Sequence, residues 1–194
     1  MRGKTLTAVG AAMALAATAV VGISGASAAK PKPAKTVTGS IIKRTAHTLK
    51  PGSKASGRGM RVLVNGKVGW KLAAGTQAQY AAKTTDGGKT WRIASPALHV
   101  NAAQAPLAVS QLSAASAKVA YAFGGGQVAD VTSDGGKHWY RALFNGVVMA
   151  VVPGAGKQLV VFVDGGANAS GPTAPTWQYT SKNGGKTWKL TPGS

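Results

Sequence analysis

One eight-residue pattern recurs three times and limits the fold more than any bulk property does. Thr84-Thr85-Asp86-Gly87-Gly88-Lys89-Thr90-Trp91 returns as Thr132-Ser133-Asp134-Gly135-Gly136-Lys137-His138-Trp139. It returns again as Ser181-Lys182-Asn183-Gly184-Gly185-Lys186-Thr187-Trp188. Asp86 and Asp134 are 48 positions apart, and Asp134 and Asn183 are 49 apart. A repeat of this length is one supersecondary unit that must stack on its neighbours to bury a core, and the period fits a four-stranded propeller blade.

Each copy makes sense as a hairpin connection. Asp-Gly or Asn-Gly between apolar runs is a strong hairpin signal, because the turn needs positive φ. The side-chain oxygen of Asp86, Asp134 or Asn183 can accept backbone N–H bonds inside the turn, with Thr84, Thr132 or Ser181 supporting it two residues earlier. Gly88, Gly136 and Gly185 supply the conformational freedom. Trp91, Trp139 and Trp188 can fold back beneath the turn as apolar anchors. Asn183 keeps the acceptor but drops the charge, which favours a hydrogen-bonding role here over acid/base or metal chemistry.

Short Val-, Ala- and aromatic-rich runs, punctuated by Gly, surround each copy and predict four strands per unit. They are 60–64, 67–73, 77–83 and 90–93; then 107–112, 118–123, 127–132 and 138–143; then 147–152, 158–163, 177–179 and 187–190. The unbroken apolar run 147–152 suits a strand buried on both faces. Glycine is abundant, at 27 of 194 residues, in keeping with many turns.

The pattern Ser/Thr-x-Asp-x-Gly-x-x-Trp resembles the Asp-box, or BNR, repeat of sialidases, related glycosidase propellers and the photosystem II assembly-factor family. The likeness covers about 59–194, and Val68-Gly69-Trp70 ahead of the first copy resembles the Gly-Trp strand of the assembly factors. It implies an all-β, propeller-like fan of about three four-stranded antiparallel blades, at 59–95, 105–144 and 146–194. In those families the box lies on an outer hairpin away from the active site, so the likeness implies fold and not catalysis. Closed propellers have four to eight blades, and a three-blade fan leaves exposed edges that invite pairing. Two chains could complete a six-bladed homodimeric ring. The chain could instead form a small fan with residues near Ile41-Ile42 covering an edge, or be a fragment of a larger ancestor.

Ahead of the repeats lie two segments of different character. Arg2 and Lys4, the apolar run 6–21 and Ala26-Ser27-Ala28 have the layout of a secretory signal over 1–28. The run is short for a membrane span and broken by Gly10 and Gly22. The expectation is therefore a secreted, extracytoplasmic chain with no stable membrane span once the signal is cleaved. Residues 29–58 carry Lys30, Lys32, Lys35, Lys43, Arg44, Lys50, Lys54 and Arg58 with no acid among them. Their prolines and mutual repulsion predict an extended, disordered basic arm.

Charge bears on partners. The chain has 23 Lys and Arg against four Asp and no Glu, for a net charge of +19. Such a balance draws anionic partners with little selectivity. Lys89, Lys137 and Lys186 fall at the same place in each repeat, so with the bases of the arm they are candidate anion-binding residues. Nucleic acid is an improbable physiological partner for an exported chain without a reader motif. Wall polymers, acidic glycans or an extracytoplasmic protein remain.

Enzyme chemistry finds little support. The sialidase resemblance would call for an arginine triad, a Tyr nucleophile with a Glu partner, and an Asp acid/base. Arg44, Arg58, Arg61, Arg92 and Arg141 and four tyrosines are present, but glutamate is absent. For a two-carboxylate glycosidase, Asp86 and Asp134 serve their turns, leaving only Asp130 and Asp164. His47, His99 and His138 are scattered and suggest neither metal nor triad. There are no cysteines, hence no disulfide and no thiolate ligand. Gly154-Ala155-Gly156-Lys157 lacks the full phosphate-loop pattern and reads as a hairpin turn. No catalytic residue, metal or cofactor is expected. The sequence favours a secreted, non-enzymatic binding or scaffolding module for anionic cell-surface polymers or glycans. A sialidase-like glycan-active enzyme and an assembly factor for an extracytoplasmic complex are the alternatives.

Overall fold

Each octapeptide closes a long antiparallel hairpin, and both of its glycines have positive φ: Gly87 and Gly88 at 74° and 88°, Gly135 and Gly136 at 80° and 96°, Gly184 and Gly185 at 71° and 87°. The computed structural model describes residues 32–45, 49–56, 59–74, 78–100, 107–166 and 175–192. Among these there is no helix, and fifteen strands form three antiparallel sheets, none of them closed. The segment expected to be a secretory signal lies outside the described residues, as does His47.

In chain order the strands are β1 (Thr36–Thr38), β2 (Ser40–Ile41), β3 (Arg61–Leu63), β4 (Gly69–Ala74), β5 (Ala78–Thr84), β6 (Arg92–Ile93), β7 (His99–Val100) and β8 (Gln111–Ala114). There follow β9 (Ala120–Phe123), β10 (Val128–Thr132), β11 (Tyr140–Leu143), β12 (Val147–Pro153), β13 (Leu159–Asp164), β14 (Thr176–Ser181) and β15 (Thr187–Leu190). The first sheet runs β3-β4-β5-β6, with β7 pairing further along the same β5. The second runs β2-β11-β10-β9-β8 and the third β1-β15-β14-β13-β12. Each sheet is thus a four-strand meander around one octapeptide. The first strand of the second unit begins later than its sequence suggests, at Gln111, although Ser110 N–H still donates to the Phe123 carbonyl.

Two apolar clusters join the sheets. Trp70, Leu72, Leu98, Leu112, Val128 and Trp139 pack between the first and second. Tyr121, Val131, Phe144, Val148, Tyr179 and Trp188 pack between the second and third. In both, one Trp of an octapeptide meets another ring edge-on: Trp139 with Trp70 at 6.0 Å between centroids, and Trp188 with Phe144 at 5.7 Å. This is the favoured aromatic geometry.

Two expectations are corrected. The basic segment is not disordered over its described part, because β1 and β2 lie in it and extend two different sheets. Val37 pairs with Trp188, and Ile41 pairs with Tyr140. Thr36 and Thr38 are exposed while Val37 between them is buried, which is the period of a half-buried strand. Lys35 and Lys43 stay in water on either side, so their repulsion is screened while the backbone satisfies the edges of β15 and β11. At the crossover, Gly39 N–H donates to the Lys186 carbonyl at 2.8 Å. A Cβ at Gly39 would lie 2.4 Å from the Gly185 carbonyl oxygen, so only glycine fits between the two sheets. The second correction concerns 147–152, which is not buried on both faces. β12 is the last strand of its sheet, and a bulge between Val148 and Ala150 resets the alternation. Val148 and Val151 both turn inward, leaving Met149 and Val152 exposed.

Candidate site: a continuous row of basic turns

The hydrogen bonds inside the three turns share one plan. In the first, Thr84 Oγ1 donates to Asp86 Oδ1 at 2.7 Å and accepts from Gly88 N–H at 3.0 Å. The Asp86 carboxylate accepts from the N–H of Thr90 at 2.9 Å and from its hydroxyl at 2.5 Å. In the second, Thr132 Oγ1 bonds Asp134 and Gly136 likewise, Asp134 Oδ1 accepts from His138 N–H at 3.0 Å, and His138 Nδ1 lies 2.6 Å from Asp134 Oδ2. In the third, Ser181 takes the place of Thr, and Asn183 Oδ1 accepts from Thr187 N–H at 3.0 Å. Trp91 and Trp188 donate their indole N–H to the second glycine of their own turns, whereas Trp139 donates to Ala94 in the neighbouring sheet.

These bonds set the charge of the turns. The hydroxyl and N–H of Thr90, then the hydroxyl of Thr84, hold the Asp86 carboxyl well below the usual carboxylate range. Burial pushes Asp134 upward, but the N–H and side chain of His138 and the Thr132 hydroxyl outweigh it, and the net shift is downward. A folded-state pKa below the unfolded one means stability that is present above about pH 4 and lost as the pH falls further. The wild-type melting temperature is therefore expected to drop on acidification from about pH 5 to about pH 2. An Asp86→Asn, Asp134→Asn double variant should drop measurably less, since the third turn shows that an amide makes the same backbone bonds. Calorimetry across that pH series checks this, and parallel curves for the two proteins would refute it.

A second set of lysines joins the three at Lys89, Lys137 and Lys186. The first glycine N–H of each turn donates to a lysine carbonyl in the hairpin that opens the same sheet: Gly87 to Lys67 at 2.8 Å, Gly135 to Lys118 at 2.9 Å and Gly184 to Lys157 at 3.0 Å. Each turn thus carries one exposed lysine and is bonded to the backbone of a second, with Lys186 Nζ lying over the Tyr140 ring of the second sheet at 5.3 Å. The turns also abut one another. Lys83 Nζ donates to the Ala117 carbonyl at 2.8 Å, and a Cβ at Gly135 would sit 3.3 Å from that same Nζ. A Cβ at Gly184 would sit 2.4 Å from Ser133 Oγ. The result is an unbroken row along one margin of the three sheets. Lys83 Nζ also lies over the Trp70 ring at 5.1 Å, and burial lowers its pKa. Sequence reading missed Lys67, Lys118 and Lys157 because they precede Asp86, Asp134 and Asn183 by 19, 16 and 26 residues, with no common period.

The bases of the N-terminal segment fall into two groups. Lys32, Lys35 and Lys43 are exposed beside the second and third sheets, and the Lys35 carbonyl accepts from Leu190 N–H, while Arg44 donates to the Leu49 carbonyl near Tyr80 of the first sheet. Lys50 and Lys54 are exposed beside the first sheet, where the backbone of Lys54 pairs with that of Arg92. Lys30 and Arg58 lie outside the described residues.

The remaining carboxylates are engaged as well. Asp130 is fully buried and holds Arg141 through two bonds of 2.7 Å, from Nε and Nη2, and Nη2 also donates to the Leu98 carbonyl. Asp164 Oδ1 accepts from Gly166 N–H at 2.8 Å, forming its turn. Two concavities stand out. A groove of about 510 Å3 follows the N-terminal segment past Thr36, Ile41, Leu107, Arg141 and Leu143. A smaller one of about 280 Å3 lies at the third turn, among Thr180, Lys182, Asn183, Thr187 and Lys189. Among the described residues, no three of His, Cys, Asp and Glu come together as metal ligands. In comparison with known proteins, no family model, no curated protein and no solved structure matches this chain.

Proposed function

We propose that this chain is a secreted, non-enzymatic binding module whose three sheets form a propeller-like fan, and whose row of basic turns engages an anionic surface polymer or glycan. The observation that carries this reading is that all three turns bear an exposed lysine (Lys89, Lys137 and Lys186) and are tied through their first glycine N–H to the backbone carbonyl of a second exposed lysine (Lys67, Lys118 and Lys157). Two features support it. Asp86 and Asp134, the acids within the row, are bound up in the hydrogen bonds of their own turns, so their charge is partly spent on local N–H and hydroxyl groups. Several exposed lysines spread over successive turns suit a linear polyanion better than a compact ligand, because each further contact adds a released counterion. The use of all four aspartates in turns or a buried ion pair favours a binding role over a sialidase-like one. The Asp-box resemblance of the octapeptides supports the fan and says nothing of the ligand.

The test is affinity for an anionic glycopolymer, with a neutral glycan as control, across a salt series. Six phosphate-like contacts should give log K against log salt a slope of about −4, taking the ~0.7 per contact of flexible single-stranded polyanions. Changing Lys67, Lys118 and Lys157 to Gln should roughly halve the slope, as should the same change at Lys89, Lys137 and Lys186. Absence of binding at physiological salt, or a slope that neither triple variant alters, sinks the proposal.

A further inference from the structure

The third turn differs from the other two in a way that reverses its chemistry. In the first turn the Thr90 hydroxyl gives its hydrogen inward, to the Asp86 carboxylate. In the third, Asn183 Oδ1 already accepts from Thr187 N–H and from the Ser181 hydroxyl, which fixes the amide so that Nδ2 faces Thr187 Oγ1 at 2.8 Å. Thr187 must accept there, so its own hydroxyl hydrogen is turned outward. One substitution, Asn for Asp, removes a negative charge and turns an acceptor site into a donor site.

The neighbours follow suit. The position after the opening hydroxyl residue is Thr85 in the first turn and Ser133 in the second, but Lys182 in the third. The residue after the tryptophan is Arg92, then Tyr140, then Lys189. Ser133 is crowded by Gly184 of the next turn, whereas Lys182 closes the row and is exposed. Lys189 lies directly opposite Thr180 on β14 and Thr36 on β1, and Thr187 lies opposite Thr38. Directly opposed residues share a face, so Lys189, Thr180 and Thr187 line one concavity of about 280 Å3, with Lys182 and Asn183 at its end. No carboxylate of the described residues lines it.

We infer that this concavity is a site for a tetrahedral oxyanion, a phosphate or sulfate group, held between the ammonium groups of Lys182 and Lys189 with the Thr187 hydroxyl donating to it. The inference rests on the polyanion reading for its carrier: the third turn grips one anionic group of the polymer while the rest of the row follows the chain. Charge-assisted donors on two sides suit an oxyanion. The first turn, with Asp86 in place of Asn183, and the second, with Asp134 there and neither flanking lysine, present a less favourable field.

The experiment is a titration of the full chain with inorganic phosphate, with sulfate, and separately with a short linear polyphosphate, at constant ionic strength, followed by amide NMR. Saturable shifts confined to Thr180, Lys182, Thr187 and Lys189 are expected. Asn183→Asp should weaken phosphate binding at least about tenfold, as a unit charge a few ångströms away demands, with the melting temperature unchanged because the other turns hold Asp in this place. A Lys182→Met, Lys189→Met variant should lose the saturable phase altogether. Shifts spread evenly over all exposed lysines, or an Asn183→Asp protein that binds phosphate like wild type, would overturn the site even if polymer binding persists. Saturable phosphate binding in a protein that ignores the polyphosphate upholds the site and overturns the polymer reading instead.

Discussion

Replacing Trp139 with alanine is expected to destabilise the fold by about 3–5 kcal/mol, the range for removing a fully buried aromatic side chain. Trp139 has no exposed surface. It meets Trp70 edge-on, shares a buried cluster with Leu98, Leu112 and Val128, and donates its indole N–H to the Ala94 carbonyl at 2.9 Å. It therefore fastens the second sheet to the first, whereas Trp91 lies in a smaller cluster confined to the first sheet and donates to Gly88 in its own turn. Trp139→Phe keeps most of the apolar contact but strands the Ala94 carbonyl, at a cost of about 1–3 kcal/mol. Trp91→Ala should fall below Trp139→Ala. Urea denaturation of the three variants gives the order. If Trp91→Ala proved the costlier, the junction between the sheets would not be the main seat of stability.

That division between otherwise identical tryptophans shows where sequence reading stops. The octapeptides announce three hairpins, because Asp-Gly and Asn-Gly followed by a second Gly leave the backbone few alternatives. The alternation around them yields three antiparallel sheets. Which ring faces a neighbouring sheet depends on stacking, and no local pattern encodes that. The N-terminal segment was harder to read. Its lysines and prolines dominate the composition, yet Thr36-Val37-Thr38 is short, β-branched and alternating, and two open sheet edges await it. Tertiary demand for edge partners overrode a compositional signal of disorder. β7 was hidden for a related reason: His99 and Val100 become a strand only because β6 leaves the rest of β5 unpaired. In the row of basic turns, half the lysines were legible by their fixed place in the repeat. The other half reach the same margin through hairpins of unequal length. The role of Asn183 as a hydrogen-bonding residue could be read from its chemistry, but the outward hydrogen of Thr187 required the positions of both side chains.

The buried ion pair gives the last test, and its two halves should behave unequally. Asp130 is fully enclosed, while the Arg141 side chain keeps a fifth of its surface and opens onto the groove along the N-terminal segment. Arg141→Met leaves a carboxylate in the interior without its cation, and the expected loss is about 3–5 kcal/mol. Asp130→Ala leaves a guanidinium that still holds the Leu98 carbonyl and can reach water, and the expected loss is about 1–3 kcal/mol. Acid distinguishes the two variants further. Protonation neutralises the stranded carboxylate, so Arg141→Met should regain stability relative to wild type as the pH falls from about 7 to about 4. Asp130→Ala has no such group to relieve and should show no recovery. Because Asp130 and Arg141 are directly opposed on β10 and β11, and Arg141 is also opposed to Ser40 on β2, the same residue supports both the second sheet and its added strand. Arg141→Met should therefore speed amide exchange at Ser40 and Ile41 more than Asp130→Ala does. Equal losses in the two variants, without recovery in acid, would mean that the pair is solvated in solution and that β2 is held by its backbone bonds alone.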